Sequence, residues 1–137
     1  TYTAFMREWQ KVIALVNGHS SHWGLLHGGR IMLRDDSAMN LSPEMIDELV
    51  LPYDGRLLKA FGGGGIHFCG RGDHYAESMS GLAGLHAVNL SQPDYNDMET
   101  IFAHTVDKGI NLIGLQRWSA EEALSRGRSL RGRVHCD

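Results

Sequence analysis

Cysteine is scarce. Cys69 and Cys136 are the only two in 137 residues, too few for a disulfide framework, and a reducing compartment suits such a chain. A single Cys69–Cys136 disulfide is the alternative use of the pair. Long apolar runs are missing too: nothing reaches the roughly 18 residues of a membrane span. No basic segment followed by an apolar stretch and a small-residue cleavage site opens the chain. A soluble, cytoplasmic protein with no membrane partner is expected. Dense positive charge is also lacking. A net charge of −3 and a pI near 6.2 argue against nucleic acid, which needs a basic surface. The one basic cluster, Arg126, Arg128, Arg131 and Arg133, reads as a helix end and turn, with an anion contact as the alternative.

The rest has the composition of one ordinary globular domain, 42% hydrophobic and 21% charged, large enough for a core. Apolar residues at Phe5, Trp9, Val12, Ile13 and Val16 predict a helix over Ala4–Val16, stopped by Asn17-Gly18. A short strand, Ile31 to Leu33, runs into Arg34-Asp35-Asp36. Ser42 caps and Pro43 opens a helix whose stripe, from Met45 and Ile46 through Leu57 and Leu58, carries it to Phe61. Gly62 to Gly65 reads as a helix-to-strand link. It precedes a strand, whereas phosphate loops follow one. Strands over Ile66–Cys69, Leu85–Leu90, Ile110–Leu115 and Leu130–Cys136 alternate with helices over His74–Ser80, Asn96–Lys108 and Ala120–Ser125, the last capped by Ser119. No hairpin signal is read.

This alternation predicts an α/β fold of about five βα units on a parallel sheet. A complete (β/α)8 barrel needs about 250 residues, so an open doubly wound sheet or a partial TIM barrel remain. Polar residues gather after several strands, at Arg34-Asp35-Asp36, Cys69 to His74, Asn89-Ser91-Gln92 and Gln116-Arg117, which favours the partial barrel over a single switch point. Starting on threonine, the chain is read as a processed product or a fragment.

The chemistry is concentrated in Gly65-Ile66-His67-Phe68-Cys69-Gly70. Residues two apart on a strand face the same side, and imidazole and thiolate both suit Zn²⁺. Two ligands do not complete a tetrahedron. The alternative is a buried cysteine beside a hydrogen-bonded histidine. His74 is a further candidate, as acid–base group or reserve ligand. Asp35 and Asp36 are candidate catalytic residues, for orienting a substrate or supporting His67, with a loop hydrogen bond as the alternative. Asn89 and Gln92 are candidates for binding a carboxylate or carbonyl. His19, His22 and His27 read as loop histidines rather than a second metal site, and His86 and His104 as packing or surface residues.

Several runs carry a family resemblance: Arg34-Asp35-Asp36-Ser37, Leu41-Ser42-Pro43-Glu44-Met45 leading to Val50-Leu51-Pro52-Tyr53, Ile66-His67-Phe68-Cys69-Gly70, and Ala87-Val88-Asn89-Leu90. From about Trp23 onward the chain resembles the carboxy-terminal half of the uroporphyrinogen decarboxylase superfamily. The resemblance implies a (β/α)8 barrel in which these five strands are the fourth to eighth. It also implies one of two chemistries. Decarboxylases of the superfamily remove acetate carboxyl groups from a porphyrinogen without a cofactor. Its methyltransferases move a methyl group from a corrinoid to a thiol activated by zinc. His67, Cys69 and Cys136 match the zinc ligands of the methyltransferases, so zinc and a corrinoid or corrinoid carrier are the implied cofactor and partner. A non-catalytic half-barrel is the third reading. Under each, a missing barrel segment or a second copy is expected to cover the exposed strand edges.

Overall fold

The computed structural model describes residues 1–13, 15 and 17–137. In chain order it has α1 (Tyr2–Trp9), a pair of antiparallel strands β1 (His19–His22) and β2 (Leu25–Gly28), then β3 (Ile31–Arg34), α2 (Pro43–Leu49), α3 (Leu51–Ala60) and β4 (Gly64–Phe68). After these come α4 (Ala76–Ser80), β5 (Leu85–Leu90), α5 (Met98–His104), β6 (Asn111–Leu115), α6 (Arg117–Ser125) and β7 (Val134–Cys136). The helix expected to reach Val16 ends at Trp9; Ala14 and Val16 lie outside the described residues.

Strands β3 to β7 form one parallel sheet in the order of the chain. A doubly wound sheet reverses its strand order at a switch point, and this one does not. With right-handed crossovers, an unreversed order returns every helix to the same face. The fold is thus mixed α/β around a five-stranded parallel sheet. On the helical face Ile66, Phe68, Val88, Leu90 and Leu112 pack with Ile46, Leu58, Tyr75, Met79, Ile101, Phe102 and Val106. Each of the aliphatic, methionine and phenylalanine side chains among them contributes about 1.5–3 kcal/mol by leaving water. Among the described residues, no helix is long and apolar enough to cross a membrane.

Helix ends differ from the sequence expectation where local chemistry competes. The Ser42 hydroxyl caps as expected, accepting from the Met45 amide at 3.3 Å. The helix it opens breaks at Val50, because Pro52 has no N–H to continue the ladder and disfavours helical backbone just before it. The helix expected to begin at Asn96 begins at Met98, capped by Asp97. Asn96 instead accepts from Gly72 and Asp73 amides and donates to the Gly70 and Gln92 carbonyls, tying two loops together. Ser119 lies buried inside α6, which starts at Arg117.

The second face of the sheet holds the largest departure from expectation. β1 and β2 are a hairpin that packs along β4, β5 and β6. Its two-residue turn, Trp23-Gly24, has φ of 47° and 81°, the doubly positive geometry that matches strand twist. The turn lies at the C-terminal end of the sheet, against His67. The hairpin base lies at the other end, where Gly29 meets Gly63: a Cβ on Gly29 would sit 2.1 Å from the Gly63 backbone. That contact explains part of the glycine run. Gly63 accepts from the Arg30 amide at 2.8 Å, and Gly64 and Gly65 are buried residues of β4 rather than a link before it.

Candidate metal centre

Alternation along β4 buries Ile66 and Phe68 among the helices and turns His67 to the hairpin face. Parallel pairing sets Asn89 of β5 directly beside it. The Asn89 amide donates from Nδ2 to the Ile113 carbonyl at 2.6 Å, so its Oδ1 faces the imidazole, 2.6 Å from Nδ1 of His67. An amide oxygen only accepts. The His67 proton is therefore on Nδ1, and Nε2 is the ring atom left for other work.

Nε2 lies 3.1 Å from Oδ1 of Asp36 and 3.4 Å from Sγ of Cys69. His67 has no exposed surface, whereas the Asp36 carboxylate is about half exposed, so water reaches this contact from the Asp36 side alone. A lone pair on Nε2 facing a carboxylate oxygen at this distance requires a positive charge between them. Either a proton shared with Asp36 supplies it, or a metal ion does. The ligating atoms of Asp36, His67 and Cys69 all lie within 4.8 Å of one another. A tetrahedral ion with bonds of about 2.0–2.3 Å separates its ligands by roughly 3.3–3.8 Å; the Nε2–Sγ distance falls in that range and the Nε2–Oδ1 distance just below it. Carboxylate, imidazole and thiolate form a donor set that fits Zn²⁺, and three protein ligands leave one position open.

The surroundings exclude water from one side. Trp23 stands edge-on to His67 with ring centroids 4.9 Å apart, and the Arg34 guanidinium lies 4.3 Å above the Trp23 ring. His22 packs on Trp23 at 4.4 Å. Burial, then the positive charge of Arg34, pushes the His22 imidazole down to about 4, so it is neutral at pH 7. Ser91 Oγ is 3.6 Å from the Cys69 sulfur. Asp36 is the exposed member of the group.

The other sequence candidates do other things. Asp35 faces away from the group, toward Asp54 of α3; burial first, and then the Asp54 charge, raise it to about 7, while burial raises Asp54 as well. The Asp35 amide donates to the His67 carbonyl at 2.8 Å. His74 donates from Nε2 to the Leu41 carbonyl at 3.2 Å, holding two loops. Gln92 accepts from the Gly70 amide at 2.6 Å, fixing the turn after Cys69. Asn89 is spent on His67 and Ile113. Cys136, expected as the third ligand, is on β7 and does not join the group. Asp36 takes the third place, because the β3–β4 register puts Arg34 beside His67 and the chain turns Asp36 back over it. Both cysteines are free thiols. Sequence reasoning missed Asp54, Trp23 and the orienting role of Asn89; Trp23-Gly24, a two-residue turn with glycine second, was the available signal for the hairpin.

The fold and site thus define an α/β protein with a parallel sheet and a three-residue candidate metal centre at the C-terminal end of its strands. No family model matches the chain, and no curated protein or solved structure matches it.

Proposed function

We propose that this chain binds Zn²⁺ through Asp36, His67 and Cys69 and uses it in group transfer to a thiol. The observation that carries the reading is the convergence of Asp36 Oδ1 and Cys69 Sγ on the buried Nε2 of His67. Bound zinc lowers the pKa of a coordinated thiol, making it a nucleophile at neutral pH. The chain's own residues do the rest. Asn89 holds the ring and its tautomer, Trp23 and His22 keep water from one side, and exposed Asp36 marks the side open to an acceptor.

The motifs that resemble the uroporphyrinogen decarboxylase superfamily extend this to methyl transfer from a corrinoid, on the carboxy-terminal half of a (β/α)8 barrel. The methyl group passes to sulfur, and the electron pair of its old bond stays with the donor. Unreversed parallel strand order supports that placement. So do the outer edges of β3 and β7, which pair with no strand among the described residues and call for a barrel segment or a second copy.

Metal content measured on protein purified without chelator or added metal tests the reading. About one zinc per chain is expected, with loss in Cys69→Ser and His67→Gln and retention in Cys136→Ser. Thiol methylation with methylcobalamin is the next assay. Metal-free protein that takes up no added zinc overturns the proposal and leaves metal-free decarboxylation or a non-catalytic half-barrel.

A further inference from the structure

At the opposite end of the same sheet face lies a cavity of about 480 Å³ whose lining includes His19, His27, His86, Asn111 and Arg133. No carboxylate is among its lining residues, in a chain whose net charge is −3. Three of the four arginines in the carboxy-terminal cluster are neutralised: Arg126 by Glu122, Arg128 by Glu99 and Asp107, and Arg131 by Asp107. Arg133 has no such partner among the described residues. It donates from Nη1 to the Gly109 carbonyl at 2.9 Å and to Asn111 Oδ1 at 3.2 Å, which aims the guanidinium fork and leaves N–H groups to spare.

His27 supplies a second, independent sign. Only 3% exposed, it donates from Nδ1 to the Gly28 carbonyl at 3.0 Å, while its Nε2 is buried with no partner. A buried polar atom without a partner costs about 1–3 kcal/mol. Burial first, opposed by the hydrogen bond to Gly28 and helped by the smaller contributions of the His19 and His86 charges, holds its imidazole below the ordinary value. A bound negative charge would relieve that repulsion. A metal ion would not, with an arginine in the wall. Gly28, Gly29 and Gly109 also line the cavity.

We propose that this cavity binds an oxyanion of the phosphate type, held by Arg133 and the imidazoles of His27 and His86. With Nδ1 of His27 donating to Gly28, its Nε2 donates to the anion when that atom takes up a second proton. The site lies away from Asp36, His67 and Cys69 and does not depend on the function proposed for them.

Titrating inorganic phosphate into chelator-treated protein, followed by calorimetry at pH 6 and pH 8, tests it. Saturable binding of one phosphate per chain is expected, tighter at pH 6, where the imidazoles carry more charge. Arg133→Gln, at an exposed position, should weaken it about tenfold, the loss of one charge-assisted hydrogen bond. His86→Gln should weaken it as well, and both variants should keep the wild-type circular dichroism. Glycerol phosphate in a parallel arm separates the sources: tighter binding than inorganic phosphate assigns a phosphate ester, equal binding the free ion. No saturable binding at pH 6, or binding unchanged in both variants, overturns the proposal.

Discussion

The two ends of one sheet face invite comparison. At the C-terminal end, Asp36, His67 and Cys69 converge beneath Trp23; at the N-terminal end, His19, His27, His86 and Arg133 converge without a carboxylate. Histidine is common to both, so histidine does not decide what either end attracts. Its neighbours do. A carboxylate and a thiol turn a buried imidazole toward cations, while an arginine and further imidazoles turn it toward anions. The hairpin of β1 and β2 joins the two, with its turn over one and its base beside the other.

The largest effect is expected from breaking both ends at once. Gly29→Ala places a Cβ against the Gly63 backbone at a residue with φ of 81°. The hairpin base must lift from the sheet, at about 3 kcal/mol or more, read as a lower urea midpoint. An unchanged midpoint would show that the hairpin is not held by that contact.

Asn89→Ala separates the ends. It leaves the Nδ1 proton of His67 and the Ile113 carbonyl unpaired in a buried setting, costing about 1–3 kcal/mol. It should weaken zinc about 10–100-fold, measured by competition with a chromophoric chelator. Phosphate binding at the other end should stay within twofold of wild type, about 0.4 kcal/mol. Equal losses at both ends would mean that Asn89 acts through the fold rather than through His67.

Carboxyl crowding at the C-terminal end gives a third test. Burial and the Asp54 carboxyl raise Asp35 from 3.8 in the unfolded chain to about 7 in the fold. The folded chain therefore holds the extra proton between those values, and this contribution to stability is lost as pH rises through that window. His22 works oppositely. Held down to about 4 from 6.5, it makes stability fall as pH drops through its own window. Asp54→Asn removes one carboxyl from the pair and offers Asp35 a donor, which should raise stability at pH 8 by roughly 1–2 kcal/mol. The difference between variant and wild-type urea midpoints should shrink toward pH 4. A difference independent of pH would show that the two carboxyls do not share a proton.

The smallest effect on stability belongs to Trp23→Asn. Asparagine tolerates the positive φ of this turn better than tryptophan, so thermal unfolding should move by no more than about 0.5 kcal/mol. Loss of the ring should still quicken zinc release to a chelator. Unchanged release would mean that Trp23 does not shield the centre.

Much of the architecture was legible because most sheet strands are built around apolar residues, and Leu85–Leu90 was read to the residue. The hairpin was not, since His19-Ser20-Ser21-His22 is polar and rests on other backbone rather than in an apolar core. The break at Val50 was legible in Pro52 but hidden by a continuous apolar stripe. At the site, His67 and Cys69 could be read from their spacing. Asp36 stood out only as one of two acids after a strand, and which of them turns toward His67 depends on the loop. Asn89 follows from strand pairing, and Asp54, on a helix, has no local mark.

The hairpin also bears on the order in which the molecule can be completed. A hairpin closes within microseconds, and this one leaves the ribosome before any strand of the sheet. Its seat, made by β4, β5 and β6, comes out after it. Until β6 has emerged, Trp23 has no finished surface to rest on, so the centre around His67 is assembled only late in synthesis and by contacts between distant parts of the chain.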